Sequence, residues 1–87
     1  MIGYDSQEVE RKVISILKIL SESPQPVGAR LIARQLKEQG VELGERAVRY
    51  HLKLMDERGL TQSAERWDGR EITPLGMNFL LSALPSI

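Results

Sequence analysis

The sequence predicts a mostly α-helical domain completed by a small β-hairpin. Three observations predict it. Four segments carry apolar residues at helical spacing. An Asp-Gly pair separates two short stretches of strand composition. The length of 87 residues suits one domain. A chain this short buries a modest share of its surface, so it is expected to be marginally stable unless it oligomerises or belongs to a larger protein. Aromatic residues make up only 5% of the chain, so the core must be aliphatic.

"DSQEVERKVISILKIL" is the first helix. Asp5 followed by Glu8 fits a capping box, and Ser6 is a rival N-cap. Val9, Val13, Ile16, Leu17 and Leu20 form one apolar stripe, which stops at the two prolines of "SESPQP". "VGARLIARQLKEQG" is the second helix, with Gly28 as N-cap, Val27 placed to staple onto Ile32, and Gly40 as a left-handed stop. Its expected buried side is Leu31, Ile32 and Leu36, with Ala29 and Ala33 permitting close approach of another helix. Val41 and Leu43 of the following turn are expected to tuck into the core.

The third helix runs over 45–58 in "GERAVRYHLKLMDERGL". Glu45 suits the positive end of its dipole, and Gly59 stops it. "LTQSAE" and "EIT" are the strands. Asp68-Gly69 is their turn signal, since both positions tolerate positive φ. Thr73 caps a last helix, "PLGMNFLLSAL", that begins with Pro74 at its first position. Helix, helix, turn, helix, strand, turn, strand, helix is the winged helix-turn-helix arrangement: a three-helix core, a wing and a C-terminal helix.

Equal numbers of basic and acidic residues, 12 of each, give a formal net charge of zero. The sum conceals a distribution. At ~100° per residue, Val48, Leu52 and Met55 share one side of the third helix, and Arg46, Arg49, Tyr50 and Lys53 cluster opposite. Ala47 and Leu54 lie on a flank that the second helix can approach. The helix is roughly 20 Å long, enough to lay its first half in a major groove about 12 Å wide. Arginine grips guanine or phosphate with a planar fork, lysine supplies a point charge, and tyrosine stacks or meets a thymine methyl. Asp56 and Glu57 fall beyond that half. Arg66 and Arg70 flank the hairpin tip, so the wing at 66–70 can reach a minor groove or the backbone. Trp67 more simply covers the hairpin base. Arg30 and Arg34, four apart on the second helix, can touch the backbone across the groove, and the amides of Gly28 and Ala29 can serve a phosphate. His51 reads as a half-buried histidine bonded to backbone or carboxylate.

The composition excludes much else. The absence of cysteine removes disulfides and thiolate chemistry, and one histidine builds no metal site. No cofactor motif, phosphate-binding glycine loop or catalytic set is found, so the chain is not read as an enzyme. No apolar run spans a membrane and no signal peptide is evident, which makes the cytoplasm the expected compartment.

"PVGARLIARQLKEQGVELGERAVRYHLKLMDERGLT", then "GREIT" and Gly76, closely resembles the N-terminal winged-helix domain of the archaeal nitrogen-assimilation transcriptional repressors, over Val9 to about Leu81. A related winged helix heads exoribonucleases of the ribonuclease R type. The string "VRYHLKLMDERGL" is general to winged helices; "PVGA", "GERAVRYHL" and "GREIT" together are more specific. The resemblance implies a repressor on a palindromic operator in double-stranded DNA, active as at least a dimer. It implies a reading role for Arg46, Arg49, Tyr50 and Lys53, and a wing role for Arg66 and Arg70. The family senses 2-oxoglutarate through C-terminal domains that nothing here matches, so the 87 residues are expected to be a single DNA-binding domain, the N-terminal fragment of a longer regulator or a stand-alone relative.

The last helix points the same way. Leu75, Met77, Phe79, Leu80, Leu81 and Leu84 surround it, and a helix apolar all round needs cover on more than one side. A homodimer through the first and last helices, or cover from a missing C-terminal domain, would supply it. Two rival readings stand beside DNA binding: a winged-helix protein-interaction module, and an RNA-binding appendage of a nuclease.

Overall fold

The computed structural model of the protein describes residues 6–64 and 69–83. Three helices, α1 (Ser6–Glu22), α2 (Ala29–Glu38) and α3 (Glu45–Glu57), precede the strands β1 (Thr61–Ser63) and β2 (Arg70–Ile72), and α4 (Pro74–Ala83) follows. The winged helix-turn-helix order is the one expected. Asp5 and Leu84 lie outside the described residues; Ser6 is the first residue of α1 rather than a cap ahead of it.

The centre of the core is α1. It packs against α2, β2 and α4, so its buried arc is wider than one stripe: Val13, Ile16, Leu17 and Leu20 are buried as expected, and Ile19 joins them. Val9, at the rim, is only partly buried. The helix runs to Glu22, where Pro24 follows. Ser21 and Ser23 hydroxyls donate back to the carbonyls of Lys18 and Ile19 at the end of the helix.

Helix α2 buries Ala29, Ile32 and Leu36 against α3. Leu31, expected on that side, is instead 42% exposed. The reason is angular: the packed positions recur at three and four, and Leu31 sits about 100° away from Ile32. The ends of α2 and α3 are built alike. Gly40 (φ 86) and Gly59 (φ 78) take the left-handed conformation that a side chain resists. The amides of Gly40 and Val41 then donate to the carbonyls of Lys37 and Leu36, and those of Gly59 and Leu60 to Asp56 and Met55. This is the Schellman cap, with buried Leu60 over Met55 as its apolar partner in α3. Val41 and Leu43 pack against the core.

The hairpin pairs Thr61 with Ile72, Gln62 with Glu71 and Ser63 with Arg70. On its other edge Arg70 exchanges two backbone hydrogen bonds with Val27, at 2.9 and 3.0 Å. Gly69 does not take positive φ, contrary to the turn expectation. Its carbonyl accepts from Ala64, continuing the ladder. The position needs glycine for space, since a Cβ there would lie 2.9–3.1 Å from the Val27 backbone.

Thr73 caps α4 as expected: its hydroxyl accepts from the Gly76 amide at 2.9 Å and donates to the Gly59 carbonyl at 2.6 Å. Gly76 is pressed onto the Leu60 carbonyl, so closely that a Cβ would meet that oxygen at 2.1 Å. Leu80 is buried, whereas Leu75 and Leu81 are 55% and 59% exposed. The α4 helix therefore leaves an apolar outer side open. No helix among the described residues is long and apolar enough to cross a membrane.

Candidate nucleic-acid interface

Helix α3 divides as its projection requires. Val48, Leu52 and Met55 are buried. Arg46, Arg49, Tyr50 and Lys53 are all exposed, Tyr50 by 61%. Three apolar side chains, each stabilising by about 1.5–3 kcal/mol on burial, hold the helix on the core and fix which side faces outward. Leu54 does not lie under α2. It is 36% exposed and lines a groove with Val9 and Val13 of α1.

Glu45 and Arg49 form an ion pair one turn apart at 2.8 Å, with side chains 42% and 66% exposed. A solvated pair of this kind contributes only about 0.3–0.5 kcal/mol. It leans the guanidinium toward the start of α3, where α2 and the hairpin converge. There a cleft of about 380 Å³ is lined by Arg30 at the start of α2, Glu45 and Arg49 of α3 and Arg70 of β2, with Gly28 and Ala29 on its wall. The fold thus brings together cations from three separate segments. A second groove runs between α2 and the start of α3, lined by Arg30, Arg34, Lys37 and Glu45. Arg30 and Arg34 are exposed as expected. Lys37 extends their row by one turn. The spacing of four and three that places it there is visible in the sequence.

The hairpin residues behave differently. Arg66 and Trp67 lie outside the described residues. Arg70, expected to serve the wing, points its Nε at Asp56, 2.9 and 3.2 Å from the two carboxylate oxygens. Thr61 donates to the same carboxylate at 2.6 Å. Asp56, taken from the sequence to be a bystander acid, therefore joins α3 to both strands. Residues 14 apart in sequence carry no local signal of that contact.

His51 is half-buried, its ring edge-on to Tyr50 with centroids 6.2 Å apart. Among the described residues it shows no hydrogen bond to backbone or carboxylate of the kind expected. Burial, and next the Lys12 ammonium, hold its imidazole below the ordinary value of 6.5. At the far end of α3, Arg58 reaches Glu10 of α1 at 3.1 Å and lies 5.2 Å over the Phe79 ring of α4.

A buried-backed helix with a basic outer side, beside a hairpin, is the architecture to compare with known proteins. The ribonuclease R winged-helix domain matches residues 14–80. The chain belongs to that family. It is also 48% identical over 77 residues to the global nitrogen regulator NrpRI of Methanosarcina mazei, covering 88% of this chain and 24% of that one. It is 50% identical over 76 residues to the global nitrogen regulator NrpR of Methanocaldococcus jannaschii, covering 87% and 14%. Against NrpR of Methanococcus maripaludis it is 53% identical over 70 residues, covering 80% and 13%. The chain thus spans a quarter or less of the length of these relatives. No solved structure matches the chain significantly.

Proposed function

We propose that this winged-helix domain binds duplex DNA sequence-specifically, as part of a transcriptional repressor that regulates nitrogen assimilation. The observation that carries the reading is the exposed group Arg46, Arg49, Tyr50 and Lys53 on a helix whose opposite side is fully buried. In this reading α3 enters the major groove and those four residues meet base edges and phosphates. Arg30 and Arg34 meet the backbone from α2, and Arg66 meets it or the minor groove from the wing. The names of the relatives, global nitrogen regulators, support the regulatory context. The working form is a homodimer on a palindromic operator, joined through α1 and α4 or through a further domain. Two α3 helices would then sit about 34 Å apart in successive grooves. The chain itself catalyses nothing, and the cytoplasm is its compartment.

The test is Arg49→Ala. Operator binding is lost in a mobility-shift assay, while the unfolding free energy moves by no more than about 0.5 kcal/mol, as for a surface site. Wild-type affinity in that variant would remove α3 as the reading element. Wild-type affinity also falls steeply with salt, because each neutralised phosphate releases counterions.

The family match favours one second reading, an RNA-binding appendage of a nuclease. Competition of bound DNA by duplex and single-stranded RNA separates the two. A module made only for protein contacts would bind no random duplex even at low salt.

A further inference from the structure

We infer that Asp56 is a positioning residue of the interface, fixing strands β1 and β2 against α3, and that Arg70 is committed to Asp56 rather than to nucleic acid. The affinity side of this inference rests on the DNA-binding reading; its structural side does not.

The geometry is specific. Arg70 is held by its backbone and by its side chain at once. Its N–H and C=O exchange hydrogen bonds with Val27, just ahead of α2. Its Nε donates to both oxygens of Asp56, in the last turn of α3. The pair is less solvated than the Glu45–Arg49 pair on the outer side of α3, with side chains 30% and 29% exposed. Thr61, 3% exposed, donates its hydroxyl to the same Asp56 oxygen, and Thr61 pairs with Ile72 across the hairpin. One carboxylate therefore receives donors from both strands, and one strand residue is tied both to α3 and to the segment that leads into α2. Without Asp56, nothing polar in this set links α3 to β2. The hairpin would remain paired to itself and to Val27 but could pivot relative to the reading helix. A guanidinium whose Nε is spent on a half-buried carboxylate loses its side-on fork, the pairing of Nε with a terminal nitrogen, and keeps only its terminal N–H groups to turn outward from a fixed position.

The experiment uses Asp56→Asn, Arg70→Met and the double variant, each shown folded by circular dichroism. The first readout needs no DNA. Amide exchange of Thr61–Ser63 and Arg70–Ile72 is expected to accelerate about tenfold in either single variant, and no further in the double. Unchanged protection overturns the inference. The second readout is affinity for duplex against salt concentration. Both single variants are expected to weaken binding by a similar factor, about five- to tenfold, non-additively, with an unchanged slope of log K against log salt. If Arg70→Met lowers the slope by about one while Asp56→Asn leaves binding intact, Arg70 is a phosphate ligand and the inference fails. Tighter binding by Asp56→Asn overturns it as well, since that would mean a released Arg70 serves the DNA. Asp56→Glu is expected to recover part of the affinity, which a charge-blind packing role would not give. If the wild-type protein binds no duplex, the functional reading fails, and amide exchange alone decides the role of Asp56.

Discussion

Helices α3 and α4 both lie against the core along one side, yet their outer sides are opposites. The outer side of α3 is basic and its exposure costs nothing, because charge is at home in water. The outer side of α4 shows Leu75 and Leu81 more than half exposed, and apolar area left in water forfeits about 25 cal/mol per Å². Inward, the helices differ again. The α3 helix is held by three bulky side chains, whereas α4 is held by one buried leucine, Leu80, and by a close backbone approach at Gly76 that only a missing side chain permits. The contrast teaches that a short domain can devote one helix to solvent and leave another unfinished.

The largest expected effect breaks the inner side of α4. Gly76→Ala puts a methyl onto the Leu60 carbonyl, which is backbone and cannot swing aside. The helix must shift, losing its Thr73 cap and the seat of Leu80. A loss of roughly 2–4 kcal/mol is expected in urea unfolding. A change under about 1 kcal/mol would show that α4 repacks freely.

This difference between the helices was unevenly legible in the sequence. The projection of α3 named both its sides correctly, because one element packed on one side obeys a simple period. The apolar residues around almost the whole circumference of α4 indicate a helix that lacks cover, and the exposure of Leu75 and Leu81 agrees. Thr73 and Pro74 gave its start, since capping is local. Leu31 and Ile19 were misjudged because which arc of a helix is buried depends on how many neighbours it meets, and period alone does not carry that. The sequence marks Gly69 as a turn residue, whereas its constraint comes from Val27, and it gives Asp56 no role, whereas the partners of Asp56 lie on the strands. Both errors concern contacts between segments distant in sequence.

The outer side of α4 supplies the next prediction. Leu75→Lys combined with Leu81→Lys should move stability by no more than about 1 kcal/mol, because both sites are already exposed. If dimerisation uses α4, the variant sediments as a monomer where the wild type is a dimer. An unaltered dimer assigns self-association to another surface.

The smallest expected effect lies beneath α3. Because His51 is held below its ordinary value, the folded chain binds fewer protons there than the unfolded chain does. Its contribution to stability is intact above the ordinary value and is lost as pH falls through the folded one. The melting temperature of the wild type should therefore drop more between about pH 8 and about pH 5 than that of His51→Gln. Parallel curves would place the acid sensitivity elsewhere.

Charge equality across the whole chain has a consequence for how it meets a polyanion. These 87 residues by themselves, with a formal net charge of zero, feel no net pull from afar. At physiological ionic strength attraction is confined to about 8 Å, less than the length of α3. Within that range only the nearest side chains count. In the proposed DNA-binding reading, a tumbling domain that arrives with Arg46, Arg49 and Lys53 leading would be captured, and one that arrives with Glu57 or the α4 leucines leading would not. Orientation would then filter encounters before any base is touched, and the domain would spend little time on DNA in useless poses.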